Sequence, residues 1–376
     1  MQDKKQTKPR PEIPCITQQL ADKIAAEGAI TVAEYMALAA SHYYANKTVF
    51  GEKGDFTTAP EISQMFGEML GAWFVDLWLQ MGQPDRVQLI ELGPGRGTLM
   101  ADMMRAISAW PEMKAALSIH LVESSPQLRL EQANALKNYR PTWYEHLEQV
   151  PEGMSFIVAN EFFDALPVHQ FKKVGGEWKE RRVSYDAEEK VFTSTVAALD
   201  FDITPVMPAE FMNADDGSIF EVSPASLAII ETIGDRIVQN GGAALLIDYG
   251  HAVPGLGDTL QSVLHHKFSD PLEAPGAKDI TAHVDFSTFK TVAEQMVRVH
   301  GAIPQGDFLN ALGIVQRAEA LAANASDAQK KDIQLALHRL TSVREMGRLF
   351  KVMALTPRDS EIIPAGFENE ISGHEA

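Results

Sequence analysis

The stretch at residues 87–105 constrains this chain more than any other: Val87-Gln-Leu-Ile-Glu91-Leu-Gly93-Pro-Gly95-Arg-Gly97-Thr98, running on to Arg105. Its first residues form a short apolar run of Val, Leu and Ile, as a buried parallel strand requires. Leu99, Met100, Met103, Met104 and Ile107 follow at helical spacing. Between them stand three alternating glycines, which admit positive φ and let a ligand come close to the main chain. The helix N-terminus then presents free N–H groups and a positive dipole end to an anionic group. Strand, glycine turn and helix together open a doubly wound α/β sheet, whose ligands sit beyond the carboxyl ends of the strands.

Glycine spacing narrows the ligand. A dinucleotide fingerprint needs glycine at position 98, where this chain has Thr98, and a P-loop needs a Gly-Lys pair that is absent. What remains is an acid two residues before three alternating glycines, which resembles the first motif of class I S-adenosylmethionine (SAM) methyltransferases. Glu91 could meet the cationic ammonium of SAM, directly or through water, and Gly93, Gly95 and Gly97 would cradle its amino-acid end. On this motif alone, a ligand-free glycine turn and a variant dinucleotide site both stay open.

Composition removes other classes. The 376 residues carry 51 acidic and 33 basic side chains, a formal net charge of −18. That balance argues against a bulk nucleic-acid binder and against insertion at an anionic membrane. Solubility explains it more simply than a cationic partner does. Cys15 is the only cysteine, so no internal disulfide or cysteine metal cluster can form, which fits a reducing compartment. No run approaches the ~18 apolar residues of a membrane span. The basic start lacks the apolar region of a secretory signal and is unconvincing as a mitochondrial presequence, so a cytoplasmic location is expected.

The pattern divides the chain into an N-terminal arm and helical region (1–82), a Rossmann-like core (83–168 and 221–376, with a loop and helical insertion at about 251–345) and a β-rich insertion (169–220). Residues 1–14 read as a mobile arm. Helices are expected from Ile16 to Gly28, after a Thr31 cap, and over 63–81, where the aromatic stripe is core packing. The second strand ends at Glu123, placed to accept ribose hydroxyls, although a carboxylate there could also serve the following helix N-terminus. A third strand falls near Trp143 and Tyr144. The fourth, over 154–159, leads into Asn160, Glu161 and Asp164. A hairpin turns at Gly175 and Gly176. Ser223 and Pro224 start a helix, and the fifth strand runs into Asp248 and Tyr249. Residues 287–299 and 318–339 read as helices, 347–355 as an antiparallel last strand of the kind found at sheet edges, and 358–376 as a frayed tail. His265, His266 and His283 lack ligand spacing, so no metal is expected.

Five stretches in order resemble the MidA-like family of SAM-dependent methyltransferases: Gly54-Asp-Phe-Thr-Thr-Ala-Pro-Glu-Ile, Glu91-Leu-Gly-Pro-Gly-Arg-Gly, Asn160-Glu-Phe-Phe-Asp-Ala-Leu-Pro, Ile247-Asp-Tyr-Gly and Asp279-Ile-Thr-Ala-His-Val-Asp-Phe. The resemblance spans about residues 15–355. It implies SAM as donor. In mitochondrial members of the family it also implies dimethylation of an arginine on the 49-kDa-type subunit of respiratory complex I, as part of complex I assembly.

These expectations define a site. Glu91, Gly93, Gly95, Gly97, Glu123 and Asn160 would hold SAM. Glu161, Asp164 and Asp248 are the candidate catalytic carboxylates, because a guanidinium stays charged and weakly nucleophilic until its charge is localised away from the reacting nitrogen. Capping of the next turn is the alternative use of Glu161 and Asp164. Asp55, Thr57, Glu61 and Tyr249 would contact substrate or close over it, a role for the first three that rests on the resemblance. A protein-arginine methyltransferase is the preferred function. A SAM enzyme acting on a small molecule or lipid quinone and a non-catalytic assembly chaperone are the alternatives, with a nicotinamide dehydrogenase further off. Sequence leaves the oligomeric state open.

Overall fold

The structure is a computed structural model that describes residues 15–46, 58–264 and 267–368. Seven strands form the path of the central sheet: β1 (Val87–Leu92), β2 (Leu117–Val122), β3 (Thr142–Tyr144), β4 (Ser155–Asn160), β5 (Gly242–His251), β6 (Arg298–Pro304) and β7 (Phe350–Thr356). Their spatial order is 3-2-1-4-5-7-6, with the short strand Val284–Asp285 added on the end of β5. Strands β1 to β5 run parallel, β7 lies antiparallel against β5, and β6 lies antiparallel to β7. The doubly wound α/β sheet with one reversed strand is therefore present.

Side chains alternate between two apolar layers. On one face Leu89, Leu121, Phe156, Val158, Leu245 and Ile247 pack with helices Gln64–Gln80 and Thr98–Ile107. On the other, Ile90, Leu92, Ile157, Ala159 and Leu246 pack with Pro224–Asn240 and Phe286–Ala293. Helix Gln64–Gln80, grouped by sequence with the N-terminal region, is thus one wall of the core. Its Trp73 and Phe74 are fully buried in edge-to-face contact, so the aromatic stripe is packing.

Helices Ile16–Glu27 and Val32–Asn46 form a third cluster with Val168, Val183, Ile280 and Ala282. Thr31 and Glu34 cap the second helix reciprocally: the Glu34 N–H donates to Thr31 Oγ1 at 3.0 Å and the Thr31 N–H to Glu34 Oε2 at 2.9 Å. The hairpin His169–Val174 and Glu177–Asp186 turns at Gly175–Gly176. It belongs to a five-stranded sheet that also takes in Ile30–Thr31, Val191–Ala198 and Ile219–Val222.

Four expectations are corrected. The helix expected over 287–299 ends at Ala293, and the chain re-enters the sheet as β6; Val292, Met296 and Val299 imitate helical spacing, and Gly301 and Pro304 disguise the strand. Position on the sheet edge tolerates both residues. Strand β7 is consequently interior, between β5 and β6, rather than at the edge. The helix expected over 318–339 is two, Ile314–Ala322 and Asp327–Thr341, because Ser326 and Gln329 form a capping box that starts a new helix. The loop at 251–284 contains a small antiparallel sheet of Gln261–Leu264, Lys267–Ser269 and Asp279–Thr281.

Part of the expected tail is also packed: Phe367 is 1% exposed against Phe308 and His300, and Trp73 Nε1 donates to the Ala365 carbonyl at 3.0 Å. The arm 1–14, residues 369–376, and His265 and His266 lie outside the described residues.

Candidate active site

The glycine turn follows β1 directly. Gly93, Gly95 and Gly97 all have positive φ (63°, 53° and 82°), and Gly97 caps helix Thr98–Ile107. A Cβ at Gly93 would stand 2.8 Å from the Phe162 ring, so this loop and the one after β4 are in close contact. That approach requires glycine.

Two cavities meet at these loops. The larger, about 610 Å³, is lined by Gly93, Gly95, Glu123, Ser125, Leu128, His146, Glu161, Phe162 and Leu166, and by Ala37, Ala40, Ser41 and Tyr44 of helix Val32–Asn46. The smaller, about 40 Å³, is lined by Glu61, Glu91, Gly93, Gly95, Thr98, Asn160 and Glu161 among others. Glu161 and the first two glycines line both.

Glu123 follows β2 immediately and its carboxylate is held from two sides. The Ser125 N–H donates to Oε1 at 2.7 Å, and Gln132 Nε2 lies 3.2 Å from Oε2. Gln132 also donates to the Gly95 carbonyl at 2.8 Å and accepts from Trp143 Nε1 at 2.8 Å. This fully buried amide couples the glycine turn, the acid after β2 and strand β3. It was missed in the sequence. Its signal was a glutamine on the apolar stripe Leu128–Gln132–Leu136, at i, i+4, i+8, where burial of an amide demands partners.

Glu91 is buried, and one of its oxygens, Oε2, has no hydrogen-bond partner among the described residues. Burial pushes its carboxyl up to about 8, with a backbone N–H at Met100 pulling only weakly the other way. Asn160, at the end of β4, has a buried Oδ1 with no partner among the described residues, while its Nδ2 donates to Glu161 Oε1 at 3.2 Å. Such orphans are rare in folded proteins, and two of them line the one small cavity beside the glycine turn.

Glu161 has φ of 50°, the left-handed region that costs a non-glycine residue about 1–3 kcal/mol. Its Oε1 accepts the Ala59 N–H at 2.8 Å. Burial raises the carboxyl to about 7, and the nearby Asp164 charge adds to the rise. Asp164 is raised to about 6 by burial, with the Tyr249 hydroxyl lowering it.

Asp248 departs from its expected role. It is fully buried on the opposite face, its Oδ2 accepts the N–H groups of Phe162, Phe163 and Asp164 at 3.0–3.2 Å, and its Oδ1 accepts the Tyr249 N–H at 2.9 Å. Both oxygens are occupied by main-chain N–H groups, while burial and the neighbouring Asp164 and Glu161 carboxylates push its carboxyl well above the usual range. Asp248 shapes the loop that carries Glu161 and Asp164. Like Asp164, it lines neither cavity.

Glu61 is pinned to the glycine turn: Thr98 Oγ1 donates to its Oε1 at 2.6 Å, and Arg96 lies 3.6 Å from Oε2. Tyr249 is buried between the His283 and Phe350 rings, each at 5.5 Å. Asp55 and Thr57 lie outside the described residues. Among the described residues no group of three or more His, Cys, Asp or Glu side chains could hold a metal.

Strand order 3-2-1-4-5-7-6, a glycine turn after β1, a buried acid after β2 and polar residues after β4 define a class I SAM-dependent methyltransferase. Residues 69–303 match the family described as "Putative S-adenosyl-L-methionine-dependent methyltransferase", and the chain belongs to that family. It is 40% identical over 367 residues to the mouse protein named protein arginine methyltransferase NDUFAF7, mitochondrial, covering 89% of this chain and 83% of that protein. It is 36% identical over 374 residues to the Drosophila melanogaster NDUFAF7 homolog, covering 91% and 85%. Among solved structures, a COG1565 superfamily member from Burkholderia thailandensis bound to S-adenosyl-homocysteine matches with a TM-score of 0.80 and 27% identity over 94% of each chain. The chain is an enzyme that uses SAM as its methyl donor.

Proposed function

We propose that this enzyme transfers a methyl group to a terminal nitrogen of an arginine side chain in a protein, and that the protein is a respiratory complex I subunit of the 49-kDa type or its bacterial counterpart. The naming of its relatives as arginine methyltransferases supports the acceptor class. One observation on this chain carries the reading: a half-buried carboxylate, Glu161, lies where the two cavities meet, with a second, buried one, Asp164, close enough to raise it. Paired carboxylates suit a guanidinium, which needs its charge held away from the nitrogen that reacts.

The buried residues fit the donor. Glu91 with its free Oε2 would hold the ammonium end, the glycine turn the adjoining chain, and Glu123 the ribose hydroxyls. When bound, SAM supplies an electrophilic methyl on a cationic sulfur. Glu161 localises the positive charge of the acceptor and orients it, Asp164 beside it adds negative charge, and Asp248 fixes the loop on which both stand. Glu61 and Tyr249 border this centre. A reducing, cytoplasmic setting in a bacterium belongs to the same proposal and is supported by the single cysteine. No helix among the described residues is long and apolar enough to cross a membrane.

Methyl-labelled SAM, the purified enzyme and lysate from a strain lacking its gene test the acceptor directly. The expected result is label in one protein band, mapped to arginine by mass spectrometry. Label that extracts with small molecules or lipids overturns the proposal in favour of a low-molecular-weight or quinone acceptor. Absence of transfer with SAM still bound favours a scaffold.

Glu91→Gln is expected to separate stability from binding. The folded, ligand-free carboxyl titrates at about 8 against an ordinary 4.5. The folded chain therefore keeps a proton that the unfolded chain releases, and this contribution to stability declines as pH rises from about 4.5 to about 8. Thermal unfolding across pH 5–9 should show a shallower decline in the glutamine variant. Calorimetry should show SAM affinity reduced roughly tenfold or more, the loss of a charge-assisted contact. An unchanged dissociation constant would remove Glu91 from the ammonium site.

A further inference from the structure

We infer that the Asn160 side-chain oxygen is a catalytic contact that orients the methyl-accepting nitrogen, in place of the cofactor contact expected from sequence. The inference rests on a nitrogen acceptor, as the proposed function requires.

Among the described residues, Glu91 and Asn160 hold the two orphaned acceptors of the side chains that line the small cavity, Oε2 and Oδ1. They belong to adjacent parallel strands whose register sets Glu91 opposite Val158 and Leu92 opposite Ala159. Val158 packs on the same face as Leu89, so Glu91 and Asn160 both continue that face. Asn160 stands two residues beyond the partner of Glu91, about 7 Å further along the strand at ~3.3 Å per residue. If Glu91 takes the ammonium, a donor one pleat further out lies toward the sulfonium end of the methionine moiety. The sulfonium centre itself has no N–H to give.

The orientation of the amide is fixed by its neighbour. Nδ2 donates to Glu161 Oε1, and the flipped amide would set two oxygens against each other. Oδ1 is therefore left for a donor that arrives with the substrate. An N–H of the accepting nitrogen held there leaves that nitrogen's lone pair free to face the methyl. The new N–C bond uses this lone pair, the broken C–S bond leaves its pair on sulfur, and the released proton goes to the Glu161 carboxylate. Glu161 and Asn160 thus act as one hydrogen-bonded unit, Glu161 on charge and proton, Asn160 on direction.

Binding measurements test this without the protein acceptor. S-adenosylhomocysteine has nothing at the methyl position, whereas sinefungin carries a protonated amine there. The wild-type enzyme should bind sinefungin more tightly, and Asn160→Ala should cut that preference about tenfold while leaving S-adenosylhomocysteine affinity unchanged, as for one hydrogen bond to a charged donor. Asn160→Asp, which retains an oxygen acceptor, should keep the preference. Weakening of both ligands in parallel by Asn160→Ala, in a variant whose thermal unfolding remains cooperative, returns Asn160 to the cofactor end and overturns the inference. Survival of the preference in Asn160→Ala overturns it as well. Failure of the arginine assignment shows instead in where the methyl label goes, so the two failures are distinguishable.

Discussion

Glu161→Gln is expected to lower methyl transfer by about two to three orders of magnitude while SAM binding stays near wild type. The substitution keeps the shape of the side chain and its contact with the Ala59 N–H, and removes the charge. A guanidinium facing a neutral amide retains its charge on the reacting nitrogen and also has no group to receive its proton. Loss of one positioned electrostatic or general-base group commonly costs about 10²–10⁴ in rate. The pH profile provides a second signature. In the free enzyme the carboxyl titrates at about 7, so kcat/KM should rise as pH increases through 7 and Glu161 ionises. That limb should vanish in the glutamine variant. A wild-type rate in Glu161→Gln would exclude this carboxylate from catalysis.

Asp248→Ala should lose both stability and activity, for a different reason. Removing the carboxylate strands four main-chain N–H groups, those of residues 162, 163, 164 and 249, in the interior. Unsatisfied buried donors cost about 1–3 kcal/mol each where water cannot reach them, and partial relaxation makes ~3 kcal/mol overall a reasonable expectation. Denaturant unfolding would show the midpoint falling with the slope unchanged. The loop bearing Glu161 and Asp164 loses its anchor in the same variant, so kcat should fall even where the protein remains folded. Asp248→Asn keeps one oxygen for the three N–H groups of the loop and should fall between alanine and wild type. If Asp248→Ala is as stable as wild type yet inactive, Asp248 acts on substrate and its structural assignment is wrong.

Much of the arrangement proposed to hold the donor was legible because it depends on local chemistry. Three alternating glycines announce a backbone that must take positive φ, and an acid placed before them or at the end of the next strand marks the carboxyl edge of a parallel sheet. Gln132 lay hidden among helix residues, since only the folded chain shows that the amide bridges Gly95, Glu123 and Trp143. Strand β6 was read as helix because Val292, Met296 and Val299 satisfy one periodicity while Gly301 and Pro304 obscure the other. In the carboxylate trio after β4 and β5, sequence placed all three acids near one crevice but not on one face.

What the sequence determined by itself was the order of strands and helices around the glycine turn, the class of cofactor and the acids at the strand ends. These follow from short-range rules: hydrophobic period, glycine conformation and capping. Only the tertiary structure showed which acid lines a cavity and which is consumed by the main chain. The side-chain period of a strand is two, so Asp248 and Tyr249, adjacent in sequence, face opposite layers. Asp248 becomes the anchor of a loop some eighty residues earlier in the chain, and Asn160 is left with an oxygen that no group among the described residues satisfies.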